Sequence, residues 1–265
     1  MKRVAWITDI HLNFLPVERA RAFLAELASL RLDVLLIGGD IAEAQDVADF
    51  LIRIDAALGI DIYFVLGNHD FYYGSVREVR QAVAEVCQEH PRLHYLSISE
   101  PLPLAVDVSL VGHDGWGDGR VGDYAASTIL LHDYQLISEL AGLSKAARRD
   151  RLGALGDEAA AHIRRVLPLA LEQSEKVFLL THVPPLRAAC WHEGQISDDQ
   201  WARHFTCDAM GHAVLDIMRE HPDRQLTVLC GHTHGRGETR PLDNVLILTG
   251  GAEYGRPLVE RVFEL

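Results

Sequence analysis

Ile60-Asp61-Ile62-Tyr63-Phe64-Val65-Leu66-Gly67-Asn68-His69-Asp70 is the stretch that decides the fold. Its first half is a nearly continuous apolar run, as expected of a strand covered on both faces. Its second half sets three polar side chains directly after that run, where they are costly unless used. The glycine between the halves permits positive φ or close backbone approach.

The same apolar texture recurs at 4–8, 34–37, 104–111, 177–180, 226–230 and 245–248. Helical patterns separate many of these runs. Pro16 opens one that reaches about residue 30, as suits a first helical turn. A second covers 46–58. Ser75-Val76-Arg77-Glu78 reads as a capping box for a third, which ends before Pro91. Strand then helix, repeated, predicts an α/β fold with a largely parallel sheet.

The region 125–173 is helix-forming, rich in Ala, Leu and Arg, and without a strand pattern. It reads as two or three helices beside the sheet, either a structural layer or a substrate cap. Ser197-Asp198-Asp199-Gln200 is another capping-box pattern, opening a helix to about residue 220. No repeat, low-complexity tract or linker divides the chain, so 1–265 reads as one domain.

Composition narrows the function classes. With 48% hydrophobic and 24% charged residues the 265-residue chain reads as an ordinary globular protein. Its net charge of −13 argues against a nucleic-acid partner held by a broad basic surface. A small anionic substrate stays open, because bound metal ions are not in that sum. Cys87, Cys190, Cys207 and Cys230 contain no C-x-x-C pair and form no disulfide framework. The first residues lack the apolar core of a signal peptide, and no run is long enough for a membrane span. A cytoplasmic protein is expected; these patterns leave its oligomeric state open.

The chemistry sits where the apolar runs end: Asp9-Ile10-His11, Gly38-Gly39-Asp40, Gly67-Asn68-His69-Asp70, Thr181-His182 and Gly231-His232-Thr233-His234. In open α/β sheets ligands bind outside the carboxyl ends of the strands, so five such ends converge on one crevice. Singly, each motif has a bland reading: a hydrogen-bonded pair, a helix-capping turn, a core histidine. Together they offer carboxylate, amide and imidazole donors without a thiolate, a set that suits two Mn, Fe, Zn or Co ions. Two divalent cations on two ionised Asp leave a local positive pocket for phosphate.

This order of motifs, from Asp9 to His234, resembles the calcineurin-like metallophosphoesterase superfamily. The resemblance implies a sandwich of two β-sheets flanked by helices. It implies that Asp9, His11 and His234 bind one metal, that Asn68, His182 and His232 bind the other, and that Asp40 bridges them. Manganese, or iron with manganese, is the expected pair, with zinc, cobalt or nickel as further options. A metal-bridging hydroxide would attack phosphorus, with His69 assisting the leaving group and Asp70 orienting His69. His69 stands where relatives that cleave lipid-precursor pyrophosphates commonly carry arginine, which favours a phosphodiesterase or a phosphomonoesterase. Glu43 replaces the tyrosine ligand of purple acid phosphatases, so no iron–tyrosinate site is expected.

Two loops are candidates for contacting a small phosphate-ester substrate. One, at 112–120, offers His113, Asp114 and Arg120; the other, from 183 onward, offers Arg187. Trp191, His192, Trp201, His204 and Phe205 form either an aromatic lid or the core of a helix. The leading expectation is a metal-dependent phosphodiesterase. The alternatives are a phosphomonoesterase, a metal-binding scaffold without turnover, and a two-metal hydrolase of non-phosphate bonds.

Overall fold

The computed structural model describes all 265 residues. Two β-sheets lie face to face. The first has the order β13-β1-β2-β3-β4 and comprises β1 (Arg3–Ile7), β2 (Val34–Gly38), β3 (Asp61–Val65), β4 (Leu93–Tyr95) and β13 (Arg261–Glu264). Its first four strands are parallel and β13 pairs antiparallel to β1. The second sheet has the order β11-β12-β10-β7-β6-β5. Its strands are β5 (Leu102–Ala105), β6 (Val108–His113), β7 (Lys176–Thr181), β10 (Gln225–Cys230), β11 (Gly237–Leu242) and β12 (Val245–Thr249). The central four are parallel and the edges antiparallel.

Side-chain alternation explains why the strands read as continuous apolar runs. Val4, Trp6, Val34, Leu36, Tyr63 and Val65 point between the sheets, against Leu110, Phe178, Leu180 and Leu229. Ala5, Ile7, Leu35, Ile37, Ile62 and Phe64 point outward, into a core shared with α1 (Val17–Ser29), α2 (Val47–Leu58) and α3 (Val76–Glu89). On the far side, α5 (Lys145–Gln173) and α7 (Asp208–Glu220) cover the second sheet through residues such as Ile163, Leu167, Met210 and Val214. The result is four layers, helix–sheet–sheet–helix. Each fully buried Leu, Ile or Phe in them contributes roughly 1.5–3 kcal/mol.

Local chemistry accounts for the ends of these elements. Ser75 accepts a hydrogen bond from the Glu78 N–H at the start of α3, as its capping box predicts, and Pro16 precedes α1. Several expectations are corrected. The run at 104–111 is a hairpin, because Asp107 turns with φ 58° between β5 and β6. The helix expected from 197 to 220 is broken into α6 (Asp199–Phe205) and α7, and its cap is Asp198 rather than Ser197. The region 125–173 holds a short α4 (Asp133–Leu136) and the 29-residue α5, which packs on β6 and α7. Most of it is therefore a structural layer. A small hairpin, β8 (Trp191–His192) and β9 (Gln195–Ile196), precedes α6. The cysteines are free. No helix is long and apolar enough to cross a membrane.

Candidate metal centre

The loops after β1, β2, β3, β7 and β10 come from both sheets and meet at one place. The Asp9 N–H donates to the Gly39 carbonyl, the His11 N–H to the Asp40 carbonyl, and the Gly231 N–H to the His182 carbonyl, so backbone ties hold the loops together. Asp9, Asp40, His11, His232 and His234 all have left-handed backbone, with φ from 41° to 71°. A non-glycine residue rarely adopts this conformation, and Asp and His tolerate it better than most. Here it turns each side chain back over the strand end. Close approach also needs the glycines: a Cβ on Gly67 would collide with Asp40 Oδ1, and one on Gly231 with Asp9 Oδ2.

Two clusters share Asp40. In the first, ligand atoms of Asp9, His11, Asp40 and His234 all lie within 4.8 Å of one another. His11 Nε2 is 3.5 Å from His234 Nε2 and 3.6 Å from Asp40 Oδ2, and His234 Nε2 is 3.4 Å from Asp9 Oδ1. In the second, His182 Nε2 is 3.5 Å from Asp40 Oδ1, 3.2 Å from Asn68 Oδ1 and 3.2 Å from His232 Nδ1. Asp40 thus presents one oxygen to each cluster, and the residues expected as ligands come together in the partition the resemblance implies.

The hydrogen bonding of the second cluster tests whether a cation fits. His182 Nδ1 donates to the Gly38 carbonyl at 2.9 Å, which leaves Nε2 as a lone pair. Asn68 Nδ2 donates to Asp133 Oδ1 at 2.9 Å and to Tyr72 Oη at 3.2 Å, which aims Asn68 Oδ1 at His182. His182 Nε2, Asn68 Oδ1 and Asp40 Oδ1 are therefore acceptors that converge, with the His69 N–H on Asp40 Oδ1 and one tautomer of His232 as the neighbouring donors. A cation between the three acceptors would relieve their mutual repulsion, and nitrogen and oxygen ligands suit a divalent transition metal.

Electrostatics agree. Burial pushes Asp40 well above the usual carboxylate range, and the charges of Asp9 and Asp70 add to the rise. Burial alone would raise Asp9 too, but the His234 hydrogen bond and the positive charge of nearby imidazoles hold it below that range. Burial drives His11 down to about 2 and His232 well below its usual value. His11 and His232 are thereby held in the neutral form that ligates a metal. The crowding of negative charge that holds a proton on Asp40, and raises His234 beside Asp9, is what a bound cation would relieve.

His69 lines the cavity beside the clusters. Its ring meets that of Tyr72 at a tilt, with centroids 4.3 Å apart, its Nε2 is 3.4 Å from the Tyr254 hydroxyl, and its buried Nδ1 has no partner. Burial, then the charge of His182, lowers it to about 4. Asp70 does not orient this ring. Its oxygens accept from the Ile41, Ala42 and Gly67 N–H groups at 2.8–2.9 Å, tying the loop after β2 to the loop after β3. Burial raises its carboxyl to about 7.

The cavity over the clusters has a volume of about 640 Å³. None of the four expected substrate contacts lines it. His113 is buried, and its Nδ1 accepts from the Gly115 N–H. Asp114 is buried against Arg80, Tyr95, Ser97 and the Leu66 N–H. Arg120 pairs with Asp118 and Asp157. Arg187 pairs with Asp199 at the surface. The aromatic segment divides: His192, Trp201 and Phe205 line the cavity, whereas the Trp191 ring covers Gly237 and His204 is buried between Ser127 and Tyr134. Asp133, Tyr72 and Tyr254 also line it. Asp133 carries no sequence signal, because it sits in a helical stretch away from any strand end.

Two sheets between helices, with strand ends gathering two carboxylates, an amide and four imidazoles, form a candidate two-metal site. The family model for calcineurin-like phosphoesterases matches residues 2–236. The chain belongs to that family and is a metal-dependent phosphoric ester hydrolase. No curated protein sequence matches it significantly. Among solved structures it is similar to phosphopantetheinyl hydrolase from Mycobacterium tuberculosis, with 16% identity, a TM-score of 0.64, and coverage of 95% of this chain and 89% of that one. It is also similar to a dimetal phosphatase from Danio rerio, at 16% identity and a TM-score of 0.57, covering 94% of this chain and 87% of that one. At that identity the likeness establishes the fold.

Proposed function

We propose that the protein hydrolyses phosphodiesters, with Asp9, His11 and His234 holding one metal, Asn68, His182 and His232 the other, and Asp40 both. The fold occurs in a protein named a hydrolase and in one named a phosphatase, so the choice rests on the cavity. The observation that carries it is that no Lys or Arg lines the cavity, while Asp133, Glu193 and Asp198 do. A phosphomonoester brings two negative charges, which proteins commonly meet with Arg or Lys. A diester brings one, which the metals alone can match. The cavity also extends from the clusters to Trp201 and Phe205, leaving room for a second ester arm.

Two bound divalent cations, manganese or an iron–manganese pair for this donor set, supply Lewis acidity and an activated water. The chain's own residues do the rest. Asp40 holds the two clusters together. Asn68 is aimed by Asp133 and Tyr72. Hydrolysis forms a bond from water oxygen to phosphorus and breaks the opposite ester bond. His69, which lines the cavity with only the Tyr254 hydroxyl near its Nε2, donates a hydrogen bond to the departing oxygen.

The test is hydrolysis of bis-p-nitrophenyl phosphate beside p-nitrophenyl phosphate, after stripping the protein and reloading Mn, Fe, Zn, Co or Ni in turn. Metal-dependent cleavage that favours the diester is expected, and Asp40→Ala abolishes it. A preference for the monoester overturns the proposal.

A further inference from the structure

We infer that the outer half of the cavity binds a positively charged substituent, an amine or quaternary ammonium on one arm of the diester; this rests on the phosphodiester reading. The outer wall is aromatic and acidic. Trp201 is 46% exposed and stacks parallel on Phe205, with centroids 5.7 Å apart and planes 8° apart. The Phe205 ring in turn meets His232 at 4.8 Å. The aromatic wall thus runs from a metal ligand to the cavity mouth.

Two carboxylates flank that wall. Glu193 lies at the turn between β8 and β9. Asp198 uses Oδ1 to cap α6, accepting from the Gln200 and Trp201 N–H groups. Neither has a basic partner, because nearby guanidinium groups are engaged elsewhere: Arg187 on Asp199 at 2.8 Å, Arg236 on Glu260 at 3.0 Å. No arginine lies over the Trp201 ring. A π face beside unneutralised carboxylates attracts a cation and repels a second anion.

The experiment compares p-nitrophenyl phosphorylcholine with p-nitrophenyl 3,3-dimethylbutyl phosphate, its neutral isostere. Leaving group and shape are shared, so the ratio of kcat/KM values reads the positive charge. The metal-loaded enzyme is expected to favour the choline ester about tenfold. Glu193→Gln with Asp198→Asn, which keeps a capping side chain, brings the ratio towards one, and Trp201→Leu does so independently. Raising the salt concentration also lowers it. Because the readout is a ratio, a general loss of activity does not imitate the effect. Equal turnover of the two esters overturns the cation subsite and leaves the phosphodiester reading standing. Cleavage of neither, with p-nitrophenyl phosphate hydrolysed, overturns both. Cleavage of glycerophosphocholine but not of phosphatidylcholine vesicles identifies a soluble diester as the source of the charged group; the reverse identifies a lipid headgroup.

Discussion

The loop at 112–120 and the segment at 183–205 leave the carboxyl ends of adjacent parallel strands, β6 and β7. Both mix glycine or proline with histidine and charge. In the first, the charged groups are satisfied internally. Asp114 accepts from the Leu66 N–H at 2.8 Å, Tyr95 at 2.6 Å, Ser97 at 2.8 Å and Arg80 at 3.0 Å, and Asp118 accepts from the Ala209 N–H at 2.8 Å. In the second, Glu193, Asp198 and Trp201 remain exposed at the cavity. A polar side chain near a strand end therefore serves the ligand only where the protein has not already used it. The first loop is scaffold and the second is wall.

The largest expected effect checks the frame common to both regions. Asp40→Ala removes the shared carboxylate, and kcat/KM for the diester falls ~10³-fold or more. Metal analysis then finds fewer than two ions per chain, and retention of both ions with full activity breaks the assignment. Asp114→Ala leaves Arg80 with Glu158 alone and orphans the Leu66 N–H, Tyr95 and Ser97 donors, destabilising the fold by about 3–5 kcal/mol, read from urea unfolding. Activity per folded molecule survives it; loss of activity with unchanged stability would return Asp114 to the substrate.

Asp133→Ala is milder. It frees the Asn68 amide to turn, so affinity for the metal proposed to bind Asn68, His182 and His232 drops about 10–100-fold in a competition titration. His204 sharpens the difference between buried and lining histidines. Burial, with Arg203, Arg148 and Lys145 nearby, lowers its imidazole to about 4. Its folded form binds fewer protons than the unfolded chain, so this contribution is full above about pH 6.5 and is lost as pH falls towards 4. A His204→Gln variant should show a shallower decline of Tm over that window. The smallest effect is at the surface: Arg187→Ala breaks only an exposed pair with Asp199. It changes stability by about 0–1 kcal/mol and leaves kcat/KM nearly unchanged.

The strand frame was legible because runs such as Ile60 to Leu66 are buried on both faces, which local composition records. The weaker edges β4, β11 and β13 were not, since pairing at an edge depends on a neighbour rather than on a pattern. The hairpin at Asp107 was hidden inside an apolar stretch for the same reason. The resemblance implies that Asp70 orients His69; two of the three backbone donors it serves instead, Ile41 and Ala42, come from a loop that only folding brings near.

By itself the sequence placed the candidate ligands. Asp9, His11, Asp40, Asn68, His182, His232 and His234 each follow an apolar run at a strand end, and the order of these motifs carries the family resemblance. Tertiary structure alone decided how Asp40 faces both clusters, that Asp133 aims Asn68 across 65 residues of sequence, and which of two similar loops forms the wall. Strand ends are local events written in short patterns, whereas hydrogen-bond satisfaction and cavity exposure depend on contacts between distant segments, which no local periodicity encodes.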